Sequence, residues 1–179
     1  MAPFGWMGAA SAAADRLADM RRLATPQDIE AVHAIYSHEA VLPYLTYERM
    51  PLADFRPVYQ ALLDSGVFFV WEVDGAIAGF YKATRLPGRA SHVVQLGTLA
   101  VDPARHGQGV AQAMLGDALA RFEADGLRRV ELFAEADNAR GLHFYRKLGF
   151  AEEGRLRDFY KRAGDAHYVD EVVMGLLLR

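Results

Sequence analysis

The chain has 179 residues, 52% of them hydrophobic, and a formal net charge of −3 at pH 7. These values predict one globular domain with a substantial core, and they exclude a broad basic surface for nucleic acid or anionic membrane. Because the chain contains no cysteine, disulfides, thiolate metal sites and cysteine acyl-enzymes are excluded. No apolar run is long enough to span a bilayer, and the scattered histidines lack the spacing of metal ligands. We therefore expect a cytoplasmic protein without a metal.

The beginning of the chain divides into an extension and the start of the domain. Residues 1–16 are rich in alanine and glycine and lack the charged start of a secretory signal, so we expect a flexible extension. The domain is expected over 17–179. Residues 19–23 predict a first strand. Residues 25–36 predict a helix, since Thr-Pro-Gln-Asp places a hydroxyl cap before a proline and an acid.

The rest of the chain alternates between β-rich runs and amphipathic segments. Residues 40–50 predict a loop or a broken helix, and Asp74-Gly75 is typical of a tight hairpin turn. The elements predicted after residue 50 are helix 51–63, strands 67–73, 76–85 and 91–101, helix 108–124, strand 128–136, helix 138–148, and strands 150–161 and 167–178. This order of hairpins and strand–helix units predicts an α/β or α+β fold whose sheet has both antiparallel and parallel pairs.

A glycine-bearing turn joins the strand that ends at Val101 to an amphipathic helix. Gly107 and Gly109 allow backbone angles that other residues avoid, and they let a ligand approach the chain closely. The first N–H groups of a helix lack internal partners and carry positive potential. The turn therefore predicts a phosphate or pyrophosphate site. The alternative is a plain strand-to-helix turn, since a glycine pair alone is a weak signal.

A second segment couples strand 128–136 to a short helix that begins at Asn138 and ends at Gly149. Asn138 and Tyr145 are seven residues apart, about two helical turns, so they share one face about 10 Å apart. Such a face suits an extended ligand that lies along the helix. The alternatives are that Asn138 only caps the helix and that Tyr145 is a core residue.

Both segments resemble motifs of the GNAT family of N-acetyltransferases. Residues 106–111, His-Gly-Gln-Gly-Val-Ala, resemble its acyl-CoA-binding loop, which usually has arginine or glutamine where His106 stands. Residues 138–150 are similar to its second cofactor motif, which is asparagine, a small residue and then Phe-Tyr-x-Lys-Leu-Gly-Phe. The resemblance covers nearly all of 17–179 and implies a mixed sheet of about seven strands, splayed between strands 4 and 5 and flanked by about four helices. The residues it implies for acetyl-CoA binding are Leu99, Val101, His106, Gly107, Gln108, Gly109, Val110, Ala111, Asn138 and Tyr145.

The resemblance also implies a reaction. An acetyl group passes directly from acetyl-CoA to a primary amine, a main-chain N–H near Leu99 stabilises the oxyanion, and Tyr145 protonates the departing thiolate. Glu135 is a candidate general base, but the sequence does not decide between it and a water chain. The other residues considered as bases are Glu131, Glu72 and His92; Gln95, on the same strand as His92, cannot act as a base.

The identity of the acceptor stays open at this stage. The end of the chain is similar to bacterial acetyltransferases that act on free amino acids or protein N-termini, and we expect a small-molecule amine such as an amino acid or an analogue. The alternatives are a protein N-terminal or lysine acetyltransferase and a non-catalytic acyl-CoA sensor. A homodimer is also open.

Residues 40–60 and the 159–168 turn are expected to build the acceptor pocket. Arginines near it could hold a carboxylate through paired N–H donors, although solvated arginines and ordinary core aromatics are the alternative. The aromatic residues concerned are Tyr44, Tyr47, Phe55, Tyr59, Phe159, Tyr160 and Tyr168, and the arginines are Arg85, Arg89 and Arg157.

Overall fold

A computed structural model of the chain describes residues 21–179. The extension predicted over 1–16 and the first residues of the predicted first strand lie outside this range. The strands are β1 Arg21–Leu23, β2 Phe68–Val73, β3 Ala76–Arg85, β4 Val93–Val101, β5 Arg129–Glu135, β6 Ala151–Tyr160 and β7 Val169–Leu177. The helices are α1 Ile29–Tyr36, α2 Leu52–Asp64, α3 Val110–Ala124 and α4 Ala139–Lys147. In this part of the chain no helix has the length and apolar character needed to cross a membrane.

The strands form one sheet in the order β1-β2-β3-β4-β5-β7-β6. Every neighbouring pair is antiparallel except β4 and β5. These two pair only from Val93–Arg129 to Leu96–Leu132, and beyond that point they separate. The predicted seven-stranded mixed sheet, split between its fourth and fifth strands, is confirmed.

Each face of the sheet carries its own hydrophobic core, because successive side chains of a strand point to opposite faces. One core includes Met114 and Leu115 of α3 and Leu142 of α4. The other includes Phe55 and Tyr59 of α2 and the residues of α1 that face them. Both aromatic side chains are at most 2% exposed. Of the two interpretations that the sequence left open for Phe55 and Tyr59, the core one holds and the acceptor-pocket one does not, since both anchor α2.

Two backbone features near the split depend on positive φ angles. Gly109 precedes α3 with a φ of 80°, which glycine adopts without steric cost. Thr98 in β4 has a φ of 46°, a conformation that costs a non-glycine residue about 1–3 kcal/mol. Its strain belongs to a β-bulge, because the register with β3 shifts between the Phe80–Ala100 and Lys82–Gly97 pairs. The bulge lies immediately after the last pair between β4 and β5.

Candidate active site

A cleft of about 450 Å³ lies beside the far end of β4 and one face of α4. The loop at 39–44 covers its third side. Residues implied in cofactor binding line it from β4, the turn before α3, α3 itself and α4, and these are Leu99, Val101, His106, Ala111, Asn138 and Tyr145. The structure thus brings together the two sequence motifs, which lie about thirty residues apart along the chain.

The turn before α3 has the form of an anion site. Gly107 and Gly109 have φ angles of 77° and 80°, and a Cβ atom added to either would meet nothing within 4 Å. The backbone N–H groups of Gly107, Gly109, Val110 and Ala111 find no acceptor among residues 21–179, whereas that of Gln108 donates to Arg105 at 3.3 Å. Free N–H groups at the start of a 15-residue helix fit a phosphate-bearing ligand.

His106 joins this turn to α4. Its Nε2 lies 3.3 Å from the carbonyl oxygen of Val101, and its Nδ1 lies 3.1 Å from Nη1 of Arg140. Burial, together with the charge of Arg140, lowers the pKa of His106, so the imidazole is neutral at pH 7. A neutral ring that donates from Nε2 and accepts at Nδ1 satisfies both contacts, and it positions a guanidinium beside the turn.

Asn138 and Tyr145 both face the cleft from α4. The side-chain oxygen of Asn138 accepts the N–H of Gly141 at 2.8 Å, so Asn138 does cap the helix, and its NH₂ group is the part left for a ligand. Tyr145 is half-buried and packs against the rings of Phe144 and Phe150. Its hydroxyl has no hydrogen-bond partner in the described residues, and burial, aided by the charge of Glu135, raises its pKa to about 12. The hydroxyl is therefore protonated at neutral pH.

A narrow opening of about 80 Å³ occupies the split between β4 and β5. It shares Leu99 and Tyr145 with the cleft on one side. On the other side it shares Thr98 and Glu135 with a cavity of about 320 Å³, while Tyr44 borders all three spaces. The three spaces adjoin one another at the split in the sheet, and we refer to them together as the passage.

The 320 Å³ cavity carries two facing carboxyl groups. Glu135 is 6% exposed, and burial, with the Glu171 carboxylate adding to the effect, raises its pKa to about 6. Burial also raises the pKa of Glu171. Neither side chain forms an ion pair with another described residue. The aromatic walls of the cavity are Tyr44, Phe133, Phe159 and Tyr160.

The other candidate bases lie elsewhere. Glu131 pairs with Arg129 at 3.4 Å, and Glu72 pairs with Arg22 at 2.6 Å. His92 is exposed at the start of β4. None of these acids or His92 lines the passage, whereas Glu135 does.

The arginines predicted to hold a carboxylate are also absent from the lining of the 320 Å³ cavity. Arg85 donates to the carbonyl of Ser91, Arg89 is exposed in the turn after β3, and Arg157 lies in a separate shallow depression along β6. A different arginine acts on Glu135: the charge of Arg162 lowers the pKa of that carboxyl.

Arg162 anchors the turn between β6 and β7 next to Tyr44 and Tyr160, two residues that line the 320 Å³ cavity. Its guanidinium binds both carboxylate oxygens of Asp137, at 2.7 and 3.0 Å, and donates to the carbonyl of Pro43 at 2.9 Å. In the same region the backbone N–H of Ala163 donates to Glu48 at 2.6 Å. Sequence reasoning missed Arg162, Thr98 and Glu171, because their roles depend on contacts between distant segments.

The family model described as the acetyltransferase (GNAT) family matches residues 29–150. The split mixed sheet is thus accompanied by a family match over more than half of the chain. The chain belongs to the GNAT acetyltransferase family, as the sequence motifs predicted. This family uses acetyl-CoA.

Individual relatives cover the chain to different extents. The phosphinothricin N-acetyltransferase of Alcaligenes faecalis is 27% identical over 158 residues, which are 86% of this chain and 79% of that protein. The mycothiol acetyltransferase of Brachybacterium faecium is 37% identical over 83 residues, 46% of this chain. The match spans only 25% of that longer protein.

The fold recurs in solved structures. The spermidine N-acetyltransferase from Vibrio cholerae, solved with CoA and spermine, superposes with a TM-score of 0.74 at 18% identity. The match covers 88% of this chain and 94% of that one. At this level of identity the likeness concerns the fold alone.

Proposed function

We propose that the chain is an N-acetyltransferase that moves an acetyl group from acetyl-CoA to the primary amine of a small molecule, such as an amino acid or an analogue. The passage at the split in the sheet supports this proposal, because Tyr145 lines the cleft and Glu135 lines the 320 Å³ cavity, which we call the acceptor cavity. The likeness to a phosphinothricin N-acetyltransferase over 86% of the chain supports a small acceptor.

The cleft suits the donor substrate, which supplies an activated acetyl thioester. The free N–H groups of the 106–111 turn hold its pyrophosphate. The NH₂ group of Asn138 and the main-chain groups of Leu99 and Val101 bind its amide-bearing arm. The strained bulge at Thr98 lies where β4 leaves β5, so its main-chain N–H groups are not committed to that partner strand. An N–H group of this segment stabilises the oxyanion.

Glu135 and Tyr145 move the protons. With a pKa near 6, Glu135 is ionised at pH 7 and takes a proton from the acceptor ammonium, which frees the nitrogen lone pair. The nitrogen–carbon bond then forms, the nitrogen gives up its second proton to water, and the carbon–sulfur bond breaks. Tyr145 gives its proton to the departing sulfur and recovers one from water. Because a thiol has a pKa of about 8.5, this protonation contributes near the lower end of general-acid effects, about 10²-fold.

An assay of thiol release against a panel of amino acids and simple amines tests the proposal. We expect release that depends on the amine, with the N-acetylated product identified by mass spectrometry. Acetylation of peptides but of no small amine would contradict the small acceptor and favour protein modification. Tight binding of acetyl-CoA without turnover on any amine would contradict catalysis and favour the sensor alternative.

A further inference from the structure

Lys82 occupies an unusual place for a charged side chain. It lies in β3, an interior strand, and pairs with Phe68 of β2 and Gly97 of β4. Phe80, two residues earlier and on the same face, is fully buried in the core under α1 and α2. Lysine is rarely placed at such a position unless its charge is used or paired.

The ammonium group of Lys82 has no such pairing. Among residues 21–179 it forms no ion pair and no hydrogen bond. It borders a cavity of about 190 Å³ between α2 and the loop at 44–47. The same cavity is lined by four hydroxyl-bearing side chains, those of Tyr36, Thr46, Tyr47 and Thr98. A half-buried cation surrounded by hydroxyl groups is suited to receive an anion.

The Lys82 cavity adjoins the acceptor cavity. Thr46 and Thr98 line both of them. The two spaces have opposite electrical character, since the acceptor cavity contains Glu135 and Glu171. A molecule with an ammonium group at one end and an acid group at the other would match this arrangement.

We propose that Lys82 binds the acid group of the acceptor while the amine of the same molecule faces Glu135. This inference rests on the proposed function and narrows it to amino-acid-like acceptors. It gives Lys82 the role for which the sequence had offered Arg85, Arg89 or Arg157 as candidates. Lys82 takes no part in proton transfer; its charge determines which amines bind.

Steady-state kinetics with phenylalanine, phenylalaninamide and phenethylamine test this role, because the three probes share a ring and an amine but only the first carries a carboxylate. In the wild-type protein we expect the highest kcat/KM for phenylalanine. Lys82→Met keeps the length of the stem and removes the charge. It should raise the KM for phenylalanine at least tenfold and keep the KM for each of the other two amines within about twofold of the wild-type value. The affinity for acetyl-CoA should not change. Lys82→Arg should restore part of the preference.

Arg85→Met is the matched control, since Arg85 lies in the same strand but borders neither cavity. It should keep the wild-type preference. If Lys82→Met lowers kcat/KM equally for all three amines, or for none of them, the inference is overturned. The aliphatic stem of Lys82 would then only cover apolar surface. A wild-type preference for phenethylamine would also overturn it.

The failure of the inference is distinguishable from that of the proposed function. Binding of the product analogue N-acetylphenylalanine is measured by its effect on Tm, which needs no turnover. A rise in Tm that Lys82→Met abolishes supports the anion site even if no amine is acetylated, and in that case only the catalytic proposal fails. Acetylation of all three amines without any effect of Lys82→Met leaves the catalytic proposal intact and removes the anion site.

Discussion

Glu135 of β5 and Glu171 of β7 stand directly opposite each other in the antiparallel register. Two like charges in this relationship repel, and cross-strand repulsion destabilises a sheet. The chain nevertheless keeps both carboxyl groups beside the opening in the sheet, with raised pKa values. This arrangement favours the uptake of a proton, which in the proposed reaction comes from the acceptor amine.

The first prediction concerns the pH dependence of activity. Since the pKa of Glu135 is about 6, kcat/KM should rise as pH increases through 6 and then level off until another group titrates. Glu135→Gln cannot accept a proton and should lower kcat by about 10²–10⁴-fold. Glu131→Gln is the control on the same strand and should retain wild-type activity. A pH profile that Glu135→Gln leaves in place would show that a water chain, not Glu135, accepts the proton.

The second prediction concerns stability at the same residue. The folded-state pKa of Glu135 is about 6, above the ordinary value of 4.5, so the folded state holds the proton more tightly than the unfolded state. The resulting stability is fully present below pH 4.5 and is lost as pH rises through 6. Glu135→Gln should therefore gain about 2 kcal/mol in free energy of unfolding relative to wild type between pH 4 and pH 7.

Chemical denaturation at several pH values measures this difference. Asp137→Asn provides a contrast of opposite sign, because Arg162 lowers the pKa of Asp137. The stability that ionised Asp137 gives to the wild-type fold is present at neutral pH and is lost as pH falls. A Glu135→Gln curve parallel to wild type across the range would mean that Glu135 is hydrated in the folded state.

The third prediction concerns Tyr145. Tyr145→Phe keeps the ring and its packing but removes the proton, so we expect normal stability, acetyl-CoA affinity near wild type and a kcat lower by about ten to a few hundredfold. The loss should shrink with an acyl donor whose thiol is more acidic, since that leaving group needs less protonation. Wild-type turnover with chemistry rate-limiting would show that Tyr145 only packs.

The fourth prediction concerns the turn before α3. Gly109→Asp places a negative charge where the pyrophosphate is expected, and calorimetry should show acetyl-CoA binding weakened at least tenfold. Gly126→Asp is the matched control, because Gly126 has a similar φ of 74° and equally open surroundings at the other end of the same helix. His106→Arg should keep or improve binding. If the two aspartate variants bind equally well while circular dichroism stays native, the turn does not hold the pyrophosphate.

The parts of the fold that the sequence predicted well are those governed by neighbouring residues. Asp74 and Gly75 have φ angles of 53° and 75°, as the hairpin prediction requires. The helix over 138–148 appears as Ala139–Lys147 with Asn138 as its cap. Turn residues, caps and hydrophobic periodicity act over a few positions, so they can be read without knowledge of the fold.

The acceptor side depends instead on contacts between distant segments. Glu171 becomes relevant only because β7 pairs with β5 in the register that sets it against Glu135. The sequence alone does not show which face of β3 carries Lys82, so the role of Lys82 could not be predicted from it. Conversely, Phe55 and Tyr59 resemble pocket aromatics in the sequence, but the packing of α2 turns them inward. Register and helix rotation are tertiary properties, which local patterns do not specify.

The position of β7 has a consequence for the order in which activity appears during synthesis. β7 follows β6 in the chain, yet it is inserted between β5 and β6 in the sheet. A nascent chain that ends before Val169 therefore lacks the strand that carries Glu171 and holds the turn of Arg162 in place. The glycine-bearing turn before α3 and α4 itself both precede β7 in the chain. Any step that needs Glu171 must therefore wait until β7 has been synthesised and inserted between its two neighbours, so the last strand of the chain completes the sheet and the carboxyl pair together.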